Sequence, residues 1–353
     1  MGNKKKNIFN LLFLLLVFGL TLYSVFHGED LSAVFSAVMK TDIRWLVPAI
    51  ACVVFFIWGE SIIIHYLMGT LHIKTKKRTC FLYSCVGFFF SGITPSASGG
   101  QPAQIYYMRR NDIPIPVSTL VLMLVTITYK SILVFIGLFL MVFQQGFVHQ
   151  YLGSILPVFY LGVGLNVFCC ILMLILVFHP ALAKNIMLTC LKFLVKLHIM
   201  KDKPERMEKL SSSMDMYNAT AAYLKKHIGV IVNVILITFA QRAALFFVTY
   251  FVYRSFGLHG AGIYNVVMLQ AVISVSVDML PLPGGMGISE QLFLAIFVPV
   301  FGSALLLPAM VLSRGIAYYV QLLLSACMTV VAHLVIGRVP RRKESAVDGY
   351  INS

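Results

Sequence analysis

Residues 94–102 read TPSASGGQP and residues 281–290 read PLPGGMGISE. Each interrupts a long apolar stretch with prolines, which cannot donate a helix hydrogen bond, and with glycines, which accept positive φ. Backbone that leaves the helix at membrane depth is tolerated only where protein or a water-filled cavity satisfies its N–H and C=O groups. Paired breaks of this kind in the two halves of an apolar chain point to a transport path.

The surroundings of the two breaks set the class. Of the 353 residues, 59% are hydrophobic and only 12% charged, and the mean hydropathy is +0.88. Such a composition describes an all-α, polytopic helical membrane protein, and the length suits a single integral membrane domain over 1–353. Apolar stretches fall at 7–26, 45–68, 80–93, 115–143, 152–178, 229–253, 260–280 and 291–336. The first follows Lys4, Lys5 and Lys6 in the manner of a signal peptide. It is nevertheless 20 residues long, with no small-x-small cleavage pattern after it, so a retained first span is expected. Residues 80–93 are too few to cross a hydrocarbon core about 30 Å thick. That segment is expected to enter and turn back.

Lysine and arginine orient the chain. Grouping the N-terminal tail, 74–78, Arg109 and Arg110, 184–226 and 338–343 on one side collects 22 of the 28 basic residues. The positive-inside rule makes that side cytoplasmic, with both termini there, as in a bacterial inner-membrane protein. The remaining six are Lys40, Arg44, Lys130, Arg242, Arg254 and Arg314. The net charge of +15 is thus a topology signal, and no contiguous basic domain with interleaved aromatics suggests nucleic-acid binding. The first half spans about 7–178 and the second 229–336, with a basic tail at 337–353. Two arrangements of the second half remain. In one, residues 260–299 form a hairpin from the outer side and a long last helix returns, giving six spans, two opposed re-entrant hairpins and a possible inverted repeat. In the other, 260–280, 291–312 and 315–336 all cross, giving eight. The six-span form is preferred because opposed hairpins meeting near the midplane recur in transporters. Between the halves, 179–228 reads as an amphipathic helix on the inner leaflet followed by a polar linker.

At the first break, Gly99 and Gly100 permit positive φ, so successive amides can converge on an anion, with Ser96, Ser98 and Gln101 adding polar groups. Those features suit a phosphate oxygen; they also suit a tight turn between packed half-helices. At the second, Gly284, Gly285 and Gly287 unwind the chain, and Ser289 with Glu290 reads both as helix capping and as a polar contact. Six ionisable residues lie in or beside the spans: the acids Glu60, Asp278 and Glu290, and the cations Lys130, Arg242 and Arg314. A lone charge at a helix centre costs about 2.5–3.5 kcal/mol on insertion scales, so these must pair or face a cavity. Lys130 and Arg242 are central in their spans and are read as functional cations, with the acids as counter-charges. Glu60 and His65 suggest a buried hydrogen-bonded pair. Arg109 and Arg110 fit an inner-leaflet phosphate and equally fit positive-inside anchoring. Seven cysteines and nine histidines show no metal-ligand spacing, so no metal or cofactor is implied.

The stretch SGITPSASGGQPAQIYYMRR, followed later by LPLPGGMGISE, resembles the lysylphosphatidylglycerol synthase transmembrane region, also called the flippase-like domain family. The resemblance implies movement of aminoacylated phosphatidylglycerol between leaflets, which lowers negative surface charge and protects against cationic antimicrobial peptides. Full-length members also carry a cytoplasmic domain that transfers lysine from charged tRNA to the lipid. With the sequence ending at Ser353, soon after the last apolar stretch, the expectation is the membrane part alone. The expected function is therefore translocation of a phosphate-bearing phospholipid in the membrane. The alternatives are a lysyltransferase component working with a separate synthase chain and a membrane-embedded transferase on lipid-linked substrates. No G-x-x-x-x-G-K-[ST] motif is present, so transport would run downhill or on an ion gradient.

Overall fold

The computed structural model describes residues 31–179, 189 and 204–336. The expected span 7–26, the amphipathic stretch before 204 and the tail from 337 lie outside those residues. Everything described is helix and connection, with no strand among the described residues. After the short α1 (Leu31–Met39) come the long α2 (Ile43–Thr70), then α3 (Lys77–Ile93), a 3₁₀ turn at Pro95–Ala97, and α4 (Gly100–Arg110). Next are α5 (Ile115–Phe143), the short α6 (Gln145–Leu152), α7 (Leu156–Phe178), α8 (Pro204–Lys226) and α9 (Ile228–Ser255). The chain ends in α10 (Ile263–Val277), a 3₁₀ turn at Pro283–Gly285, α11 (Ile288–Ile296), α12 (Val298–Arg314), a π-helical segment at Gly315–Val320 and α13 (Gln321–Val335).

Five of these are long and apolar enough to cross a membrane: α2, α5, α7, α9 and the continuous run Val298–Val335. This is a multi-pass membrane protein. Two spans, α2 and α9, lie antiparallel along their length. Asp42 N donates to Ser255 O at one end, Gln241 Nε2 to Phe56 O at 2.8 Å in the middle, and Asn233 to the Tyr66 hydroxyl at 3.0 Å near the other. Helices α7 and α10 instead run parallel and meet closely near the end of α10. A Cβ on Gly162 would lie 2.6 Å from Ser276 Cα, so only glycine lets the two backbones meet there.

The two breaks form helical hairpins. In the first, α3 and α4 run antiparallel, with Gly87 opposite Gln104 and Gly100 opposite Ser91. In the second, α10 and α11 fold back about the 278–287 break. The last helix shows that they point at each other: α11 packs along α12, α3 packs along α13, and the two broken turns touch at the middle of the run. Helix continues through Arg314 and the π segment, so the loop that eight spans would need there is absent. The described residues hold five of the spans of the six-span arrangement; residues 7–26, expected as the other, lie outside them. Gly302, at φ 70°, bends the run near its start.

The connector differs from its expectation. Residues 204–226, read as a polar linker, are a helix that begins at Pro204 and packs on α5. The cause is a sparse apolar stripe within the polar run: Met214, Tyr217, Ala221 and Leu224 fall at helical spacing and are buried, and the Tyr217 hydroxyl donates to Met123 Sδ.

Apolar packing is divided in two. One core gathers Ile132–Leu140 of α5 with α10, α11 and the start of α12. The other gathers Val117–Ile127 of α5 with α3, α4 and α8. Between them, each long helix carries buried polar residues: Glu60 on α2, Thr128 and Lys130 on α5, Asn166 on α7, Thr238 and Gln241 on α9, and Ser313 on α12. This belt, not either core, is where the hairpin tips arrive.

Candidate functional site

The second break is held by one acid. Glu290 Oε2 accepts from Gly287 N at 2.8 Å and from Ser289 Oγ at 2.9 Å, and Oε1 accepts from Arg314 Nε at 2.8 Å. The capping expected of Glu290 is therefore made, while Ser289 is buried and bonds to the acid. Arg314 also donates to Gly284 O at 3.0 Å and stacks over Tyr318, whose hydroxyl donates to Gly92 O at the end of α3. Thus Arg314 and Tyr318, one turn apart on the last helix, tie both hairpin tips together. Gly284, Gly285 and Gly287 have φ of 57°, 67° and 85°, as unwinding requires.

The first break behaves otherwise. Positive φ falls on Ser96 (49°) and Ala97 (54°), whereas Gly99 has φ −82° and Gly100 opens α4. These glycines supply room instead. A Cβ on Gly99 would come within 2.7 Å of Thr94 Cγ2, and one on Gly100 within 2.8 Å of Gly87 O. Three tip amides also close the turn itself: Ala97 N bonds to Thr94 O, Ser98 N to Pro95 O and Gly99 N to Thr94 Oγ1. The outward surface of the tip is therefore the exposed Ser96 and Ser98, where an amide nest was expected.

One turn deeper, α4 places Gln101 and Gln104 on the belt. Gln101 Nε2 donates to Thr126 Oγ1 at 2.6 Å, and Gln104 Nε2 to Glu60 Oε1 at 2.8 Å. The expected Glu60–His65 pair does not form, because His65 Nδ1 instead meets Thr75 Oγ1 at 3.3 Å. Lys130 pairs with Asp278 at the end of α10 and is 3.4 Å from Asn166 Oδ1. Asn166 anchors that corner by donating to Gly162 O and Val275 O. Arg242 is different. Its guanidinium lies 3.5 Å from the Tyr129 ring centre and 4.8 Å from that of Phe56. It is within electrostatic reach of Glu60, yet its Nε is buried without a hydrogen-bond partner. The residue as a whole stays partly exposed.

Of the three central cations, two are neutralised by direct ion pairs with acids, and Arg242 is held by aromatic faces. The Tyr129 ring also lies 5.4 Å from Lys130 Nζ, so two cations share it. Arg109 and Arg110 are not part of this group; they end α4, eight or more residues beyond Gln101, about 12 Å along the helix. Sequence reading passed over Tyr129, Gln104, Asn166 and Tyr318. Helical spacing from known polar positions marks three of them, since Tyr129 adjoins Lys130, Gln104 lies one turn past Gln101 and Tyr318 one turn past Arg314. Asn166 is the lone amide of an otherwise apolar span.

Residues 7–325 match the family model described as the lysylphosphatidylglycerol synthase TM region. The chain belongs to this family. Comparison with curated proteins gives no match. For a member of the lysylphosphatidylglycerol synthase TM family, the matched region takes in both hairpins and every charged residue of the belt.

Proposed function

We propose that the chain is a lipid translocase, which brings the headgroup of a phosphate-bearing phospholipid into the belt and releases it toward the other leaflet while the acyl chains stay in lipid. The observation that carries this reading is Arg242, a guanidinium held at the middle of the bundle by Tyr129 and Phe56 with its Nε unbonded. A buried guanidinium N–H without an acceptor is unfavourable, and a phosphate oxygen reaching this partly exposed side chain would supply charge-assisted hydrogen bonds. The two opposed hairpins meet at that height, and Ser96, Ser98 and Gln101 provide polar groups near the first tip. In this reading the 74–78 side is cytoplasmic, and Arg109 and Arg110 meet lipid phosphates before entry. Lys130 and Arg314 fix the second hairpin through Asp278 and Glu290.

The test is reconstitution of the purified chain in vesicles with acyl-labelled phospholipid, reading leaflet exchange by external quenching of the label. Protein-dependent exchange is expected, lost in Arg242→Ala and partly kept in Arg242→Lys. Formation of a new lipid product from charged tRNA or a sugar donor, without exchange, would replace the translocase with a transferase.

A further inference from the structure

We infer that Glu60 is a proton-coupling group: its carboxylate takes up a proton when a lipid phosphate settles on Arg242 and returns it when the phosphate leaves, so that headgroup and proton travel together. This rests on the translocase reading above. The charge balance of the belt carries the inference. Asp278 is paired with Lys130, and Glu290 is held by Arg314, the Gly287 amide and the Ser289 hydroxyl. Glu60 is held more lightly. Its Oε1 accepts from the uncharged Gln104 amide at 2.8 Å, and its counter-charge is Arg242, a guanidinium stacked on Tyr129 and Phe56. Before the lipid arrives these two charges balance. A phosphodiester brought to Arg242 sets two anions against one cation inside the bundle, where an uncompensated charge is costly. One proton on Glu60 restores the balance and leaves both ion pairs intact.

Local geometry suits both states of this acid. An amide carries a donor and an acceptor, so Gln104 gives its N–H to the carboxylate and, turned over, accepts the O–H of the carboxylic acid. Room for that amide comes from Gly87, where a Cβ would stand 2.4 Å from Gln104 Nε2. The Cys85 thiol of α3 also lies within electrostatic reach of Glu60. Titratable groups on the other elements packed against α2 are engaged elsewhere: Tyr129 under Arg242, Lys130 with Asp278, the Tyr318 hydroxyl on Gly92 O, Tyr319 beside Arg314 and Glu290, and His333 at the Tyr107 hydroxyl. A metal cation would need several oxygen ligands, whereas Glu60 is faced by an amide N–H, a thiol and a guanidinium. The step is acid–base alone. An O–H bond forms at Glu60 with a proton drawn from solution, and no bond of the lipid is made or broken.

The experiment adds short-chain phosphatidylglycerol to the purified full chain in weakly buffered micelles and reads proton uptake with a pH indicator. The phosphodiester stays ionised near neutral pH, so a proton taken up belongs to the protein. About one proton per bound lipid is expected, and the dissociation constant should rise by up to about tenfold per pH unit where binding and uptake are linked. Glu60→Gln should lose the uptake and flatten the pH profile. In vesicles, an imposed pH gradient should draw acyl-labelled lipid toward the alkaline leaflet with the parent protein and not with Glu60→Gln. Binding without uptake by the parent overturns the inference and leaves the translocase standing, as does uptake that persists in Glu60→Gln. Loss of binding when sodium is replaced by choline would make the companion ion a metal and overturn it too. Glycerophosphoglycerol, the same headgroup without acyl chains, should evoke no uptake at equal concentration; uptake from it would make the partner a free anion and refute the coupling to lipid. Neither binding nor exchange by protein that retains its helical spectrum removes both readings.

Discussion

Asp278→Asn should destabilise the protein by about 3 kcal/mol, because it leaves the Lys130 ammonium buried with only Asn166 and Met279 as partners. The side chains of the pair are 8% and 13% exposed, so water can do little to replace the lost carboxylate. Lys130→Met should do comparable harm by stranding Asp278. The double variant removes both charges and should lie within about 1 kcal/mol of the parent, since paired deletion leaves no isolated ion. In a double-mutant cycle this appears as a coupling of several kcal/mol, far above the few tenths expected of independent sites. The measurement is reversible unfolding in mixed micelles followed by helical circular dichroism. Strict additivity of the two single changes would refute the assignment of Lys130 and Asp278 as one buried unit holding the second hairpin to α5.

Further outcomes follow from other contacts. Tyr318→Phe should lose about 1 kcal/mol by leaving Gly92 O without its donor, and should slow lipid exchange if the joined tips act together; unchanged stability would remove that bond from the design. Gly162→Leu should destabilise by about 1–3 kcal/mol or more by forcing α7 from α10, measured by the same unfolding assay. In a cysteine-free background, Ser98→Cys should react with a membrane-impermeant thiol reagent far faster than Ser289→Cys, which is buried against Glu290. Equal labelling would contradict the described tips.

The fold was largely legible because its two decisive signals are local. Proline and glycine at 94–102 and 281–290 forbid continuous helix whatever surrounds them, and long apolar runs declare themselves by composition. The six charges in the spans were legible for a similar reason, since each is conspicuous against hydrocarbon. Their partners were harder to read. Which acid meets which cation depends on helix rotation and depth, so Lys130 finding Asp278 148 positions away, and His65 turning to Thr75, had no sequence signal. The glycines of the first break show a subtler failure. Positive φ and absence of a Cβ are different uses of the same residue, and only the packing of Gly99 on Thr94 and Gly100 on Gly87 reveals that space was the requirement. The helix at 204–226 was hidden because its buried stripe of Met214, Tyr217, Ala221 and Leu224 is interleaved with charged, hydroxyl and other apolar residues, a weak periodic signal until α5 supplies the surface the stripe buries against.

Dividing the apolar interior into two blocks has a mechanical consequence. Interlocked side chains resist sliding, because every displacement opens voids on both faces. A layer of hydroxyls, amides and ion pairs tolerates it better, since a polar group that loses one partner can take another or a water. In this molecule that layer lies where Arg314 and Tyr318 clasp the two turns, so an exchange of partners there would disturb less packing than a shift within either block.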